Sequence, residues 1–232
     1  MIELTKKQSK VLMELWLHPS RRFSDMMHVT GLTSDDFKFY VRKFIKAGLI
    51  EKDQTGEYRL TVMGKEIANR YDYDEQQILH MPKLTTAVFV HRHHEGRSEY
   101  LFMKRKRQPF YGFWGVIGRP VRVGETFEQA AAIGLEQQTG LNLSLELKGF
   151  YRQLDVGTGE SPLEDKLFVT YRADWDGREL TKWPYAVSAW MTLDEYESKD
   201  RRFKSAIQML RNIDQDQLWF AEDKTRYAED DF

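Results

Sequence analysis

The 232-residue sequence predicts an α+β protein, in which a helix-rich N-terminal part precedes a part built on a mixed β-sheet. Two observations support this prediction. Apolar residues recur at helical spacing up to about residue 70, whereas alternating or continuously apolar strand patterns dominate after about residue 80. The composition, with 41% hydrophobic and 13% aromatic residues, is sufficient to fill the core of one large domain or two small ones.

The composition also excludes several functional classes. A net charge of −1 excludes a global polycation but leaves room for a local nucleic-acid-binding patch. The absence of cysteine excludes disulfides, thiolate nucleophiles and thiolate zinc sites. No stretch is long and apolar enough for a signal peptide or a bilayer span, so we expect a cytoplasmic protein with no membrane partner.

The N-terminal part is predicted to contain three helices, a hairpin and a fourth helix. The helices are expected over 5–17, 21–31 and 33–48, the hairpin over 49–61 and the charged fourth helix over 62–76. The apolar residues expected on the inner face of the third helix are Phe37, Val41, Phe44 and Ile45.

Beyond residue 80, strand patterns dominate the sequence. Strands are expected over 84–92, 99–106, 141–156, 165–175 and 186–196. A helix within 118–141 and another over 201–214 accompany them, and the acidic stretch 221–232 is expected to be a tail.

Three helices, the third ending in "KAGLIEK", and a following hairpin resemble the winged helix-turn-helix domains of bacterial transcription regulators. We assign residues 1–75 to this domain and 76–82 to a linker. The resemblance implies that the third helix enters the major groove and the hairpin contacts the backbone, with duplex DNA and a second copy of the chain, as a homodimer, as partners. The DNA-binding residues that it implies are Arg21, Arg22, Ser34, Lys38, Phe39, Arg42, Lys43, Lys46, Lys52 and Arg59.

The charge pattern of the third helix supports DNA binding only in part. Lys38, Arg42 and Lys46 recur every four residues and form one basic stripe. Asp35 and Asp36 oppose it, and residues 1–75 hold 13 basic and 12 acidic side chains, a weak excess for a DNA-binding domain. The alternative is a solvated helix face or a domain that docks a protein partner.

The stretch "GRPVRVGETFEQAAAIGLEQQTGL", residues 118–141, resembles the signature of the Nudix hydrolase family. It contains the glycine-rich turn, the Gly-Glu pair at Gly124 and Glu125, and the closing "TGL". Thr126 and Gln129 form a capping box for the helix. The resemblance implies that residues 83–220 form a Nudix-like α/β/α sandwich with a mixed sheet.

The metal-binding acids of that family are missing. Positions 134, 137 and 138 lie on one helix face and bear metal-binding glutamates in the family, but here they are Gly134, Gln137 and Gln138. Glu136 does not replace them, because two residues along a helix turn a side chain by about 200°. Glu160 and Glu164 lie on a predicted loop and would add single ligands. We therefore expect no bound metal, no cofactor and no ordinary hydrolysis.

A ligand could still bind where the metal is lost, because arginines can hold phosphates directly. A nucleotide, a nucleotide sugar or a sugar phosphate fits this chemistry. The candidate ligand-binding residues are Arg105, Arg107, Trp114, Arg119, Arg122, Gly134, Gln137 and Gln138. Phe110, Tyr111 and Phe113 could stack on a ring or belong to the core. A glycine inside a helix, at position 134, indicates either close approach of a ligand or backbone, or drift.

Three further interpretations complete the sequence-based picture. His91 and His93 lie on one strand face, as a metal pair would, but solvated side chains near a hairpin tip are the favoured interpretation, and no metal is assigned. The domain combination resembles Nudix-related bacterial transcriptional regulators, in which a Nudix-derived module senses a metabolite, although there the Nudix part commonly comes first. The alternatives are a Nudix hydrolase with atypical metal ligands and an interaction scaffold that binds no DNA.

Overall fold

The computed structural model describes residues 5–72, 77–79 and 81–228, and the chain divides into two units between residues 80 and 81. The predicted linker does not stand apart from the first unit. A short strand, β3 (Tyr71–Asp72), pairs with β4 (Gln77–Ile78), which lies inside the stretch 76–82. The boundary predicted at residue 75 therefore falls too early.

In the first unit, three helices precede a hairpin, an arrangement that is compatible with the predicted winged helix. The elements are α1 (Lys6–Leu17), α2 (Phe23–Thr30), α3 (Ser34–Lys46), β1 (Ile50–Lys52) and β2 (Tyr58–Leu60). The Thr5 side chain and Gln8 form a capping box at the start of α1, and Thr33 caps α3. Gly31 ends α2 in the left-handed conformation, at φ 63°.

Two details of this unit differ from the prediction. Helix α4 (Val62–Ala68) ends before the strand at Tyr71 instead of continuing to residue 76, and residues 73–76 lie outside the described part of the chain. Phe37, Val41 and Phe44 are buried as predicted, but Ile45 is 43% exposed because α3 turns it away from the core.

Within the described residues, seven strands of the second unit form one mixed sheet, which confirms the predicted α+β class. They are β5 (Lys83–His94), β6 (Arg97–Arg105), β7 (Trp114–Gly115), β8 (Glu146–Val156), β9 (Pro162–Asp174), β10 (Ala186–Met191) and β11 (Trp219–Arg226). The order is β10-β6-β5-β9-β8-β11, with β7 added to β6. The pairs β5–β9 and β8–β11 are parallel, and the remaining neighbours are antiparallel.

Helices cover both faces of this sheet: α5 (Phe127–Thr139) on one face, and α6 (Leu193–Glu197) with α7 (Lys204–Arg211) on the other. The pleat of β5 divides the core. Val88 and Val90 pack with Leu135 of α5, while Ala87 and Phe89 pack with Met209 of α7. In the described part of the chain, no helix has the length and apolarity that crossing a membrane requires.

The predicted acidic tail is wrong for its first half, because residues up to Arg226 belong to β11. This strand pairs in parallel with β8 from Trp219, opposite Gly149, to Arg226, opposite Val156. Trp219 and Thr225 are buried, whereas Glu222 and Asp223 point to solvent. The exposed acidic residues dominate the composition of this segment, so its strand pattern is not recognisable from the sequence. Residues 229–232 lie outside the described part.

Truncating the chain after Gln217 is expected to destabilise the second unit by more than about 3 kcal/mol, because it exposes apolar surface that Trp219 and Tyr227 now bury. Urea unfolding followed by tryptophan fluorescence measures the free energy of unfolding. Truncation after Ala228 is the control and should leave it unchanged. Equal stability of both truncated chains would show that β11 is dispensable.

Candidate ligand-binding site

The turn between β7 and α5 is packed directly onto β5. The N–H of Thr86 donates to the Arg119 carbonyl at 2.9 Å, and Val88 pairs with Ile117 in the same way at 2.8 Å. A Cβ at Gly118 would lie 2.1 Å from the Thr86 carbonyl oxygen, so only glycine fits this position. This packing fixes the point from which the Arg119 side chain starts.

The Arg119 side chain lies across the face of α5 at Gly134. A Cβ at position 134 would be 3.0 Å from Arg119 Cγ and 3.3 Å from Cδ. The helical glycine therefore makes room for a side chain of the chain itself, whereas the sequence left open a ligand, a backbone or drift. The guanidinium Nη2 donates to Glu125 Oε1 at 3.0 Å. The Arg119 side chain is 10% exposed, and its Nη1 is buried without a hydrogen-bond partner in the structure.

Glu125 is held in its ionised form by the same turn. The N–H of Arg122 donates to its second oxygen at 2.8 Å. This N–H, followed by the Arg119 guanidinium, holds the pKa of the Glu125 carboxyl below its ordinary value. At neutral pH the Arg119–Glu125 contact is therefore an ion pair.

The two glutamines have different environments. Gln138 is buried, and its Nε2 donates to the Gly118 carbonyl at 2.8 Å, which ties α5 to the turn. Gln137 is exposed to solvent. Of the three positions that bear metal ligands in the family, Gly134 makes room for Arg119, Gln138 is hydrogen-bonded to its turn and Gln137 is exposed.

A cavity of about 290 Å³ opens beside this turn, at the small end of the range of about 300–1,000 Å³ typical of ligand pockets. Of the predicted ligand-binding residues, Arg105, Arg107, Arg119 and Gln138 line it. Its walls come from β5, β6, β8, β9, the segment 183–186 and α7.

The other four predicted ligand-binding residues do not line the cavity. Trp114 is half-buried and packs against the core on the α7 side of the sheet. Arg122 is exposed and contributes its backbone N–H to Glu125. Gly134 lies beneath Arg119, and Gln137 is in solvent.

The predicted aromatic residues divide between core and surface. Phe110 and Phe113 are buried with Phe203 and Tyr227 in a small aromatic cluster, with ring centroids of Phe110 and Phe113 5.3 Å apart. Tyr111 is 54% exposed. None of these three lines the cavity among the described residues.

Several cavity residues have no sequence signal that identifies them, because they come from strands that meet only in the fold. Lys83, Asp155, Glu164 and Lys166 form an ion-pair network on its wall. Glu164 is on β9, not on the predicted loop; Lys83 Nζ lies 2.8 Å from it, and Lys166 also pairs with it. Trp183, Tyr185, Phe203 and Ser205 are further cavity residues that no sequence pattern identifies.

The network has two carboxylates with opposite pKa shifts. Burial raises the pKa of Asp155, and Lys166, 3.4 Å away, opposes this only in part. Burial also acts to raise the pKa of Glu164, but Lys166 and Lys83 outweigh it and hold that pKa below its ordinary value. The salt bridges of both carboxylates therefore go to the two lysines, although the charge of Glu164 also acts on the Arg105 guanidinium.

Arg105 and Arg107 form no salt bridge with any described residue. Arg105 Nε is buried without a hydrogen-bond partner, and burial, then the neighbouring Arg107, lowers the pKa of the Arg105 guanidinium. The Arg107 guanidinium lies 5.6 Å from the Trp183 ring. The cavity therefore combines unneutralised guanidinium groups with an aromatic ring, which suits an anion that bears a ring.

A divalent metal does not fit this site. Among the residues that the structure describes, no group of three or more His, Asp or Glu side chains is placed to hold a metal ion. Glu160, the other candidate ligand, pairs with Lys224 and Arg226. The helix face of positions 134, 137 and 138 offers no anionic oxygen.

The prediction that His91 is solvated is wrong. His91 is buried on β5, with Nδ1 3.1 Å from Asp174 Oδ1 and Nε2 2.9 Å from Ser98 Oγ. These contacts satisfy both ring nitrogens within the sheet.

Most of the predicted DNA-binding residues lie on the surface of the first unit, and Arg59 also lines an open pocket beside the hairpin. Ser34, Lys38, Phe39, Arg42, Lys43 and Lys46 of α3 are exposed, as are Arg22, Lys52 and Arg59. Arg59 pairs with Glu51 at 2.8 Å and Arg22 with Glu57 at 3.7 Å. Arg21 is half-buried and contacts His18 at 2.7 Å.

A mixed sheet between helices, with a glycine turn leading into a capped helix, defines the second unit as a Nudix fold. Residues 81–213, more than half of the chain, match the NUDIX domain. The chain belongs to the Nudix family.

Solved structures agree on this fold. The NUDIX domain of Shewanella oneidensis NrtR, solved in complex with ADP ribose, is 18% identical with a TM-score of 0.50, over 64% of this chain and 94% of that domain. The MutT protein from Bacillus halodurans is also 18% identical with a TM-score of 0.50, over 64% of this chain and 92% of its own. No curated protein sequence matches the chain. At this identity the likeness shows the fold alone.

Gly134→Ala tests the packing of Arg119 on α5. Alanine inside a helix is favoured over glycine by about 1 kcal/mol, but here its Cβ meets Arg119. We expect Gly134→Ala to stabilise the protein by about 1 kcal/mol only when Arg119→Ala is also present, and to destabilise the otherwise unchanged chain. Urea unfolding of the unchanged chain, the two single variants and the double variant gives the coupling free energy between positions 119 and 134. Gln137→Ala, on an exposed position of the same helix, should be additive with Arg119→Ala; additivity at Gly134 as well would contradict the packing.

Proposed function

We propose that this protein is a DNA-binding transcriptional regulator whose Nudix domain senses a small phosphorylated metabolite. The observation that supports sensing most directly is the cavity, where Arg105, Arg107 and Arg119 present guanidinium groups and the described residues form no metal cluster. Such a site can bind phosphate oxygens but lacks the groups that would activate water on a metal.

The ligand that suits this cavity is a nucleotide or nucleotide sugar. Guanidinium forks match phosphate oxygens, and the Trp183 ring beside Arg107 can stack on a base. The Shewanella oneidensis NrtR domain was solved with ADP ribose, a molecule of this class, which makes ADP ribose the first probe for this chain.

DNA binding is supported by the surface of the first unit. Lys38, Arg42 and Lys46 lie on α3 at four-residue spacing, are exposed, and form no salt bridge with any described residue. Lys52 on the hairpin is exposed as well. A helix with a free basic stripe next to a hairpin is the arrangement that docks a helix-turn-helix domain in the major groove.

Sensing would act on DNA binding through a difference in ligand affinity between DNA-competent and DNA-incompetent states of a homodimer. Linkage makes this effect reciprocal: if the metabolite weakens operator binding, the operator weakens metabolite binding by the same factor. The homodimer follows from the two-fold symmetry of most operators.

Isothermal titration calorimetry with ADP ribose tests the sensor. We expect binding by the unchanged chain and a loss of about tenfold or more in Arg105→Ala/Arg107→Ala, because two charge-assisted contacts disappear. Lys106→Ala is the matched control, since this exposed cation lies between them but does not line the cavity. No binding of ADP ribose, nucleotides or sugar phosphates would overturn the sensor.

The same mixtures, incubated with Mg²⁺ or Mn²⁺ and analysed for released nucleoside monophosphate, test the hydrolase alternative. We expect no release, because the described residues provide no metal cluster. Turnover that Glu164→Gln abolishes would establish catalysis with an atypical ligand instead.

Selection from a random duplex library, followed by fluorescence anisotropy on the enriched duplex, tests DNA binding. Lys38→Ala/Arg42→Ala/Lys46→Ala should weaken binding strongly and lower the slope of log K against log salt by about 0.9 for each lost phosphate contact. The control, Lys10→Ala/Lys65→Ala/Arg70→Ala, removes three exposed cations of the same unit outside α3 and the hairpin. An equal effect of both triple variants, or no enriched duplex, would favour the interaction scaffold.

A further inference from the structure

The helix face that holds the metal in catalytic members of the family is covered here by the Arg119 side chain. Its aliphatic part contacts Gly134, and its guanidinium pairs with Glu125 at the start of the helix. A cation thus lies on a surface that has lost its anionic metal ligands, although this cation belongs to the chain.

We infer that the Arg119 guanidinium takes over the role of the divalent metal, binding the phosphate of the ligand directly, so that ligand binding requires no metal ion. This inference rests on the proposed sensing function and specifies how its site works.

The free donor of Arg119 supports this role. A guanidinium has five N–H donors in a fixed fork, and Glu125 takes only the Nη2 edge. Nη1 is buried, has no partner in the structure, and belongs to a side chain that lines the cavity and is 10% exposed. A buried donor without a partner costs about 1–3 kcal/mol, and a phosphate oxygen entering the cavity would satisfy it.

Two of the three residues that replace the metal ligands, Gly134 and Gln138, accommodate this arginine. Gly134 leaves the space that the arginine stem occupies, since a Cβ there would lie 3.0 Å from Arg119 Cγ and would force the stem to shift. Gln138 donates to the Gly118 carbonyl, a hydrogen bond that an ionised glutamate could not make. Both residues are therefore compatible with an arginine at position 119 in a way that the acids of the family would not be.

Calorimetric titration of the full chain with ADP ribose and with inorganic pyrophosphate, each in EDTA and in MgCl₂, tests the inference. We expect the affinity of the unchanged chain to be the same within about twofold in both buffers, and Arg119→Gln to weaken it about tenfold or more. Arg97→Gln is the control: Arg97 is also paired with glutamates, at 3.3 Å, but does not line the cavity.

Glu125→Gln separates ligand binding by Arg119 from a merely structural ion pair. The single amide oxygen can still accept from Arg119 Nη2 but then no longer accepts from the Arg122 N–H, and the substitution removes the negative charge that competes with phosphate. We expect pyrophosphate to bind this variant more tightly than the unchanged chain. A purely structural pair would make binding weaker or leave it unchanged, and this variant decides the question even if Arg119→Gln fails to fold.

The outcomes distinguish this inference from the proposed function. Binding of ADP ribose that needs Mg²⁺, or that Arg119→Gln leaves intact, overturns the role of Arg119 while the sensor stands. Binding of pyrophosphate through Arg119 without binding of any nucleotide or sugar phosphate supports that role and overturns the proposed metabolite. Binding of neither anion overturns both.

Discussion

The packing of the turn 117–120 along the backbone of β5 is the constraint on which the candidate site depends. The Thr86 N–H and carbonyl approach this turn so closely that only glycine fits at position 118. Arg119 therefore leaves the turn at a fixed point. Glu125 then orients its guanidinium, and Gly134 makes room for its stem. A change in this turn would therefore move the Arg119 side chain relative to both Glu125 and the helix face at Gly134.

The electrostatics of the cavity follow a simple division. Asp155 and Glu164 form their salt bridges with the two lysines of the wall, Lys83 and Lys166, and none with a cavity arginine in the described part of the chain. Arg105 remains without a salt bridge among the described residues, in surroundings that lower its pKa. A half-buried cation with a buried, unpartnered Nε is costly unless an anion arrives. An anion that binds here would relieve the desolvation cost of the guanidinium, and this relief favours the bound state.

Sequence patterns were informative where the physics is local. The capping box of Thr126 and Gln129 depends on residues three positions apart, and it is present in α5. The absence of the metal ligands could be recognised from the helical period and from the alignment of residues 118–141 with the family signature. Strand alternation located β5 and β9 to within a few residues, because their apolar positions face two cores.

Partners that lie far apart in the chain could be decided only by the tertiary structure. The acidic stretch after residue 220 forms a strand because it pairs in parallel with the edge of β8. Its acidic composition gives no indication of this pairing. His91 was buried by Asp174 from the neighbouring β9, and Lys166 reached the cavity through the same strand. The sequence by itself determined the fold class, the helix scaffold of the site and the loss of its acids. Only the fold decided that Arg119 fills the space they left, since that contact joins a turn to a helix face through side-chain packing, which has no period in sequence.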